Sequence, residues 1–420
     1  FQTAVPKVKS QTPDDGDNTV HIDDDQLEVV FDNAIDKAAL LGGVRLLREG
    51  IEIDSSVPAS EESADSVIVT FAPLEGLQPG TSYQAIISAA VGGPRAPGDF
   101  SWRFSTAVPR MESVFPDSGA TGISLDDLGE ATVTFSVPIH VDQRIADNFL
   151  LFRESDPVAL RSGDPVSLGD SKYGLAPNNG WQVGSSYTVQ VSPAVTGPLG
   201  VSQPISWHFQ TAVPKVKSQT PDDGDNDVSV REPDLRVVFD NAIDEAALAD
   251  GGVRLLREGR EIPITQSYDL GKRTLTFAPT EGLRAGTAYR AIIPAAVAGP
   301  RATADFRWEF TTQVPGIAFT NPADGDVIPA GLRRLEVVFT SPVDANLVDS
   351  RNFSVTRAGQ QLALADEEFL YDIDSLTVSL PPIDFEPGAA YEARVRPPLL
   401  GSRAADRPPP PPWRFTTETP

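Results

Sequence analysis

Positions 1–18 read FQTAVPKVKSQTPDDGDN, and positions 209–226 repeat that string letter for letter. At the same offset VVFDNAID (29–36) returns at 237–244, and GGVRLLREG (42–50) at 251–259. A chain that copies itself in this way must build one unit more than once, so only a periodic architecture fits it. A weaker repeat lies inside the stronger one. The signature W-x-F-x-T appears as WRFST (102–106), WHFQT (207–211), WEFTT (308–312) and WRFTT (413–417). The copies alternate A-B-A-B in similarity and predict four domains, at 5–107, 108–212, 213–313 and 314–420. Phe1 stands about one such interval before Phe104, so residues 1–4 read as the tail of a preceding repeat and the chain as a window on a longer array.

Within each copy the order of segments is fixed. A Pro-Asp-Gly turn comes first: PDDGD (13–17), PDSGA (116–120), PDDGD (221–225) and PADGD (322–326). Pro presets its own φ there, while Asp and Gly accept the dihedrals of a tight turn. The apolar runs LEVVF (27–31), ATVTF (131–135), LRVVF (235–239) and LEVVF (335–339) follow; short, β-branched and bounded by breakers, they read as strands. The segment DNAIDKAALLGG (32–43) and its counterparts have room for one short helical turn. Later comes G-x-x-Y with alternation behind it: Tyr83-Ala85-Ile87, Tyr187-Val189-Val191, Tyr289-Ala291-Ile293 and Tyr391-Ala393-Val395. A period of two places each trio on one face, toward a core. The pairs Trp102 and Phe104, Trp207 and Phe209, Trp308 and Phe310, Trp413 and Phe415 share a face for the same reason. Together with the four tyrosines they are the expected structural core.

A tyrosine that opens a strand just after a glycine corner resembles the tyrosine corner of immunoglobulin-like sandwiches. The full order resembles the bacterial Ig-like domain of the SbsA type, a family known from S-layer and other surface proteins. The fourth copy is nearest to it, with NPADGD (321–326), FTSPVDANLVDSRNFSV (339–355), FEPGAAYEARV (385–395) and WRFTT. The second keeps FSVPIHVD (135–142) and NF (148–149), whereas the first and third carry FDNAID instead. The resemblance implies an all-β chain of four tandem immunoglobulin-like antiparallel β-sandwiches arranged end to end, in an extracellular or bacterial cell-surface setting. It brings no catalytic residues with it.

Composition narrows the chemistry. The 420 residues hold 34 basic and 59 acidic side chains, a net charge of −25, and no cysteine. That excludes disulfides and thiol catalysis, and it repels a nucleic-acid backbone. No stretch is long and apolar enough for a membrane span. The three histidines, His21, His140 and His208, occupy unrelated slots, and no motif of a hydrolase or phosphate-binding loop is present; the chain reads as no enzyme. For a cofactor the reading is none, with calcium as the one weak candidate. Asp14, Asp15 and Asp17, repeated as Asp222, Asp223 and Asp225, cluster oxygens of the kind Ca²⁺ takes, but lack its loop spacing, so an Asp-Gly turn is favoured. Trp181 breaks the four-copy pattern and is weighed as a sugar-docking ring against burial under a loop. Arg48, Arg153, Arg257 and Arg357 mark a recurring hairpin and are expected to pair with nearby acids. PPPPP (408–412) reads as polyproline II or stiff loop.

The functional expectation is therefore a structural segment of a bacterial surface or extracellular protein, serving as stalk, surface layer or filament block. Its expected partners are other copies of itself or neighbouring repeats of a longer chain, with surface polysaccharide a further candidate. The alternatives are an adhesin-type binding module and an accessory region of a secreted hydrolase.

Overall fold

The computed structural model describes residues 4–63, 65–139, 145–231, 234–329 and 331–419. His140 and Phe1 lie outside them. The chain divides into two compact units, Phe1–Ala212 and Val213–Pro420. Each unit holds two separate clusters of buried apolar side chains, and each cluster is closed between two sheets.

The third cluster shows how sequence becomes sandwich. Nine strands run in order: Val216–Thr220, Asp225–Val228, Leu235–Phe239, Arg254–Arg257, Arg260–Ile262, Ile264–Asp269, Thr274–Pro279, Ala288–Ile293 and Phe306–Thr312. The first pairs with the third, the third with the seventh and the seventh with the sixth, giving a four-stranded sheet. The second, ninth, eighth, fourth and fifth form the opposing sheet of five. Alternation decides which side chains turn inward. Leu235, Val237 and Phe239 do so from one sheet, and Leu255, Tyr289, Ala291, Trp308 and Phe310 from the other.

Two features go beyond the expected antiparallel pattern. The first strand and the short second strand are one segment that changes sheets at the Pro-Asp-Gly turn. After the turn it runs parallel to the last strand, pairing Asp225 with Phe310 and Val228 with Thr312. Ala120 and Val327 begin the corresponding parallel pairs in the second and fourth sandwiches, and the bridge from Val20 to Thr106 stands there in the first. Short edge strands such as Arg260–Ile262 bring the count in this sandwich to nine.

The register explains the motif spacing. Tyr289 lies directly opposite Phe310, and Ala291 opposite Trp308. The same pairs recur as Tyr83 with Phe104 and Ala85 with Trp102, Tyr187 with Phe209 and Val189 with Trp207, Tyr391 with Phe415 and Ala393 with Trp413. Alanine, or valine in the second sandwich, stands opposite each indole, so the Tyr strand and Trp-x-Phe are two halves of one packed surface. The segment after the third strand makes a single helical turn, 3₁₀ at Lys37–Leu40 and α at Glu245–Ala249. Asp36 and Asp244 cap these turns by accepting from the backbone N–H groups two and three residues on.

Candidate functional site

The residues that recur in every copy meet at one corner of each sandwich. The corner is made by a glycine in the left-handed region, Gly80, Gly184, Gly286 or Gly388, with φ of 53–68°. Three residues later the tyrosine enters its strand and is buried, at 1–3% exposure in all four places. Its hydroxyl accepts from the backbone N–H five residues upstream: Gln78 to Tyr83 at 2.8 Å, Gln182 to Tyr187 at 2.9 Å, Arg284 to Tyr289 at 2.8 Å and Glu386 to Tyr391 at 2.7 Å. The tyrosine rings stack on Phe104, Phe209, Phe310 and Phe415 at 5.3–5.7 Å between centroids. Burial pushes the hydroxyls of Tyr83, Tyr187 and Tyr289 above the usual tyrosine value, and the N–H each accepts from pulls the other way.

A second hydroxyl, absent from the expected core, closes the corner. Thr106, Thr211, Thr312 and Thr417, last in W-x-F-x-T, donate to the carbonyls of Gln78, Gln182, Arg284 and Glu386 at 2.5–2.6 Å. Each also accepts a backbone N–H, from Thr81, Ser185, Thr287 or Ala389, at 2.9–3.0 Å. Peptide units at the bend that no strand could satisfy are thus held by Tyr and Thr together. The signal was present in the motif: Trp, Phe and Thr are spaced by two and share one face.

Trp181 belongs to this corner and does not break the pattern. It stands six residues before Tyr187, where Leu77, Leu283 and Phe385 stand before their own tyrosines. Its ring meets Tyr187 edge-on at 4.8 Å and Phe209 at 5.5 Å, and its indole donates to the Gly129 carbonyl at 3.1 Å. Phe385 makes the matching contacts with Tyr391 and Phe415 at 4.9 and 5.6 Å. By contrast, the indole N–H groups of Trp102, Trp207, Trp308 and Trp413 are buried with no acceptor.

The calcium candidates are used as turn residues. Asp15 accepts from the Arg103 N–H at 2.9 Å, and Asp223 from the Glu309 N–H at 2.9 Å; Asp324 does the same for Arg414 at 2.7 Å. Asp17 accepts from the N–H and hydroxyl of Thr19, and Asp225 from the Asp227 N–H. The carboxylate at the turn centre thereby ties the change of sheets to the last strand. Asp14 and Asp222 stand exposed beside it. Among the described residues no group of three or more His, Asp or Glu could hold a metal ion. The hairpin arginines reach the corner acids, Arg48 with Glu75 at 3.5 Å, Arg257 with Glu281 at 3.8 Å, and Arg357 with Glu386. Arg153 reaches the Tyr187 hydroxyl.

The family model for a bacterial Ig-like domain matches residues 2–106, 105–211 and 210–312. The chain belongs to the bacterial Ig-like domain family. No curated protein matches it. Among solved structures it is similar to an S-layer protein, rSbsC(31-844), with 12% identity and a TM-score of 0.20 over 99% of this chain and 54% of that one. It is also similar to a three-Ig segment of titin, with 12% identity and a TM-score of 0.23 over 75% of this chain and 100% of that one. The insect immune protein hemolin gives 10% identity and a TM-score of 0.20 over 99% and 100%. The Ig-like chain spans about half the length of the S-layer protein it matches. Among the described residues no helix is long and apolar enough to cross a membrane.

Proposed function

We propose that this tandem of bacterial Ig-like domains is a non-catalytic structural segment of an extracellular or cell-surface protein, a stalk, layer or filament block. One observation supports it above the others: the polar side chains that recur from copy to copy are committed to their own backbone. The Tyr and Thr hydroxyls hold the corner, and the Asp carboxylates hold the turn. What the repeat preserves is a scaffold. The acidic composition, with a net charge of −25, favours solubility of a long array.

The finer reading is that 314–420 is a fourth copy of the same domain, and that the repeats divide at 107, 212 and 313. The order of motifs and the fourth core around Leu335, Tyr391, Trp413 and Phe415 support this. The SbsA-type assignment rests on the motif order alone. Partners of this reading are further repeats of the same kind, in the same chain or in a neighbouring one.

Brief protease treatment of intact cells that make the protein tests the setting. Surface residence predicts loss of the antigen while cytoplasmic markers persist; an antigen protected until the cells are lysed overturns it. Electron microscopy of the purified chain separates lattice or filament formers from isolated particles.

A further inference from the structure

The corner glycine has a second neighbour, outside its own sandwich. In the unit that ends at Ala212, the Gly80 carbonyl accepts from the Leu199 N–H of the following sandwich at 2.8 Å. The main chains meet there with no room for a side chain. A Cβ on Gly80 would lie 2.1 Å from the Thr196 carbonyl oxygen, and one on Gly197 would lie 1.8 Å from that of Pro79. Gly80 is also tied to the connecting segment, its N–H donating to Ala107 at 3.1 Å.

The other unit repeats the arrangement. The Gly286 carbonyl accepts from the Arg403 N–H at 2.9 Å and the Ser402 hydroxyl at 3.3 Å. A Cβ on Gly286 would lie 2.3 Å from the Leu400 oxygen, and one on Gly401 would lie 2.1 Å from the Ala285 oxygen. The Gly286 N–H donates to the connecting Gln313 at 2.8 Å. Two joints in separate units thus use the same two glycines, the same carbonyl and the same direction of hydrogen bonding, on sequences that differ around them.

Tandem domains with small interfaces ordinarily move against one another. We propose that this pairing of glycines is a backbone latch that fixes the angle between the first and second sandwiches, and likewise between the third and fourth. Side-chain contacts tolerate tilting because side chains change rotamer. Main chain lodged against main chain does not: a tilt in one direction breaks the hydrogen bond, and in the other drives carbonyl into Cα. The corner glycine therefore serves the bend of its own sandwich and the seating of the next. The latch does not depend on where the protein resides, so it stands or falls apart from the surface role.

Because the chain has no cysteine, pairs of spin labels can be placed on it without background. Suitable exposed sites are Ile51→Cys with Asp156→Cys, and Arg260→Cys with Gln360→Cys, all at the same edge strand of successive sandwiches. Pulsed dipolar spectroscopy on the full chain is expected to give one narrow distance population for each pair. Leu199→Pro, which deletes the donor N–H, and Gly197→Ala, which adds the obstructing Cβ, are expected to abolish the narrow population of the first pair and spare the second. Arg403→Pro and Gly401→Ala are expected to do the reverse. Far-UV circular dichroism and melting accompany each variant, because alanine at φ +76° or +94° also strains its own loop. A broad distribution in the unsubstituted chain overturns the latch with no variant needed, and so does a folded variant whose population stays narrow.

Discussion

One hydroxyl carries two bonds at each bend, so its removal should be felt out of proportion to its size. In Thr312→Val the shape is kept, while the Arg284 carbonyl and Thr287 N–H lose a partner inside the corner. Leaving a buried polar group unpaired costs about 1–3 kcal/mol, so the unfolding transition of that sandwich should fall by that order, with Thr312→Ser recovering most of it. Equal loss in the Val and Ser variants contradicts the hydrogen-bonding role. The stacked tyrosines give a pH signature. An unfolded tyrosine ionises near 10, and burial raises Tyr83, Tyr187 and Tyr289 above that. The folded state then keeps protons that the unfolded state gives up, so their contribution is complete below about pH 10 and is lost as pH climbs through the raised values. Melting temperature should stay level up to about pH 10 and then drop, more gently in a triple Tyr→Phe variant at 83, 187 and 289. An unchanged slope in that variant excludes the tyrosines as the cause.

At the level of strands and turns, the sequence displays what is periodic and hides what is not. Tyr-x-Ala and Trp-x-Phe announce a core face by their spacing of two, and the face is the one they occupy. Thr312 shows the same spacing, but its role lies in bonds to a loop distant in sequence, which no periodicity reveals. The parallel pairing of Val20 with Thr106 is equally invisible, because its partners stand most of a domain apart. Trp181 misleads for another reason: rings and Leu fill the same slot, so a change of residue type looks like a change of role. The two-residue hairpin turn is a further case. Glu49, Glu154, Glu258 and Ala358 sit there with φ of 46–56°, followed by a glycine in the first, third and fourth sandwiches and by Ser155 in the second, which is the twist a tight antiparallel connection needs. The left-handed region costs a residue with Cβ about 1–2 kcal/mol, and glycine gives back roughly 0.5–1 kcal/mol in chain entropy. Ala358 accordingly offers a stabilising change: Ala358→Gly should raise the fourth sandwich's stability by about 0.5–1 kcal/mol in denaturant unfolding. A loss of stability there means that the turn does not hold that conformation in solution.

For the whole molecule, the four core clusters share no residues, and this governs how the chain should unfold. Leu255 is fully buried in the third cluster, and trimming it to alanine removes contacts there while touching none of the other three. Such truncations cost about 2–5 kcal/mol, a large part of the 5–15 kcal/mol that a single domain commonly has. Calorimetry of the Leu255→Ala chain should therefore show part of the heat moving to lower temperature, while the part belonging to the first two sandwiches stays in place. If the entire endotherm shifts together, the copies do not melt as separate cores. Adding calcium or a chelator provides the companion measurement. Asp15, Asp223 and Asp324 already accept backbone N–H groups, so a cation would have to displace bonds that the turn depends on. Melting curves of the unsubstituted chain are expected to superimpose in calcium and in chelator. A rise of many degrees with calcium would turn the Pro-Asp-Gly turns into ligand loops and the chain into a metal-stiffened attachment module.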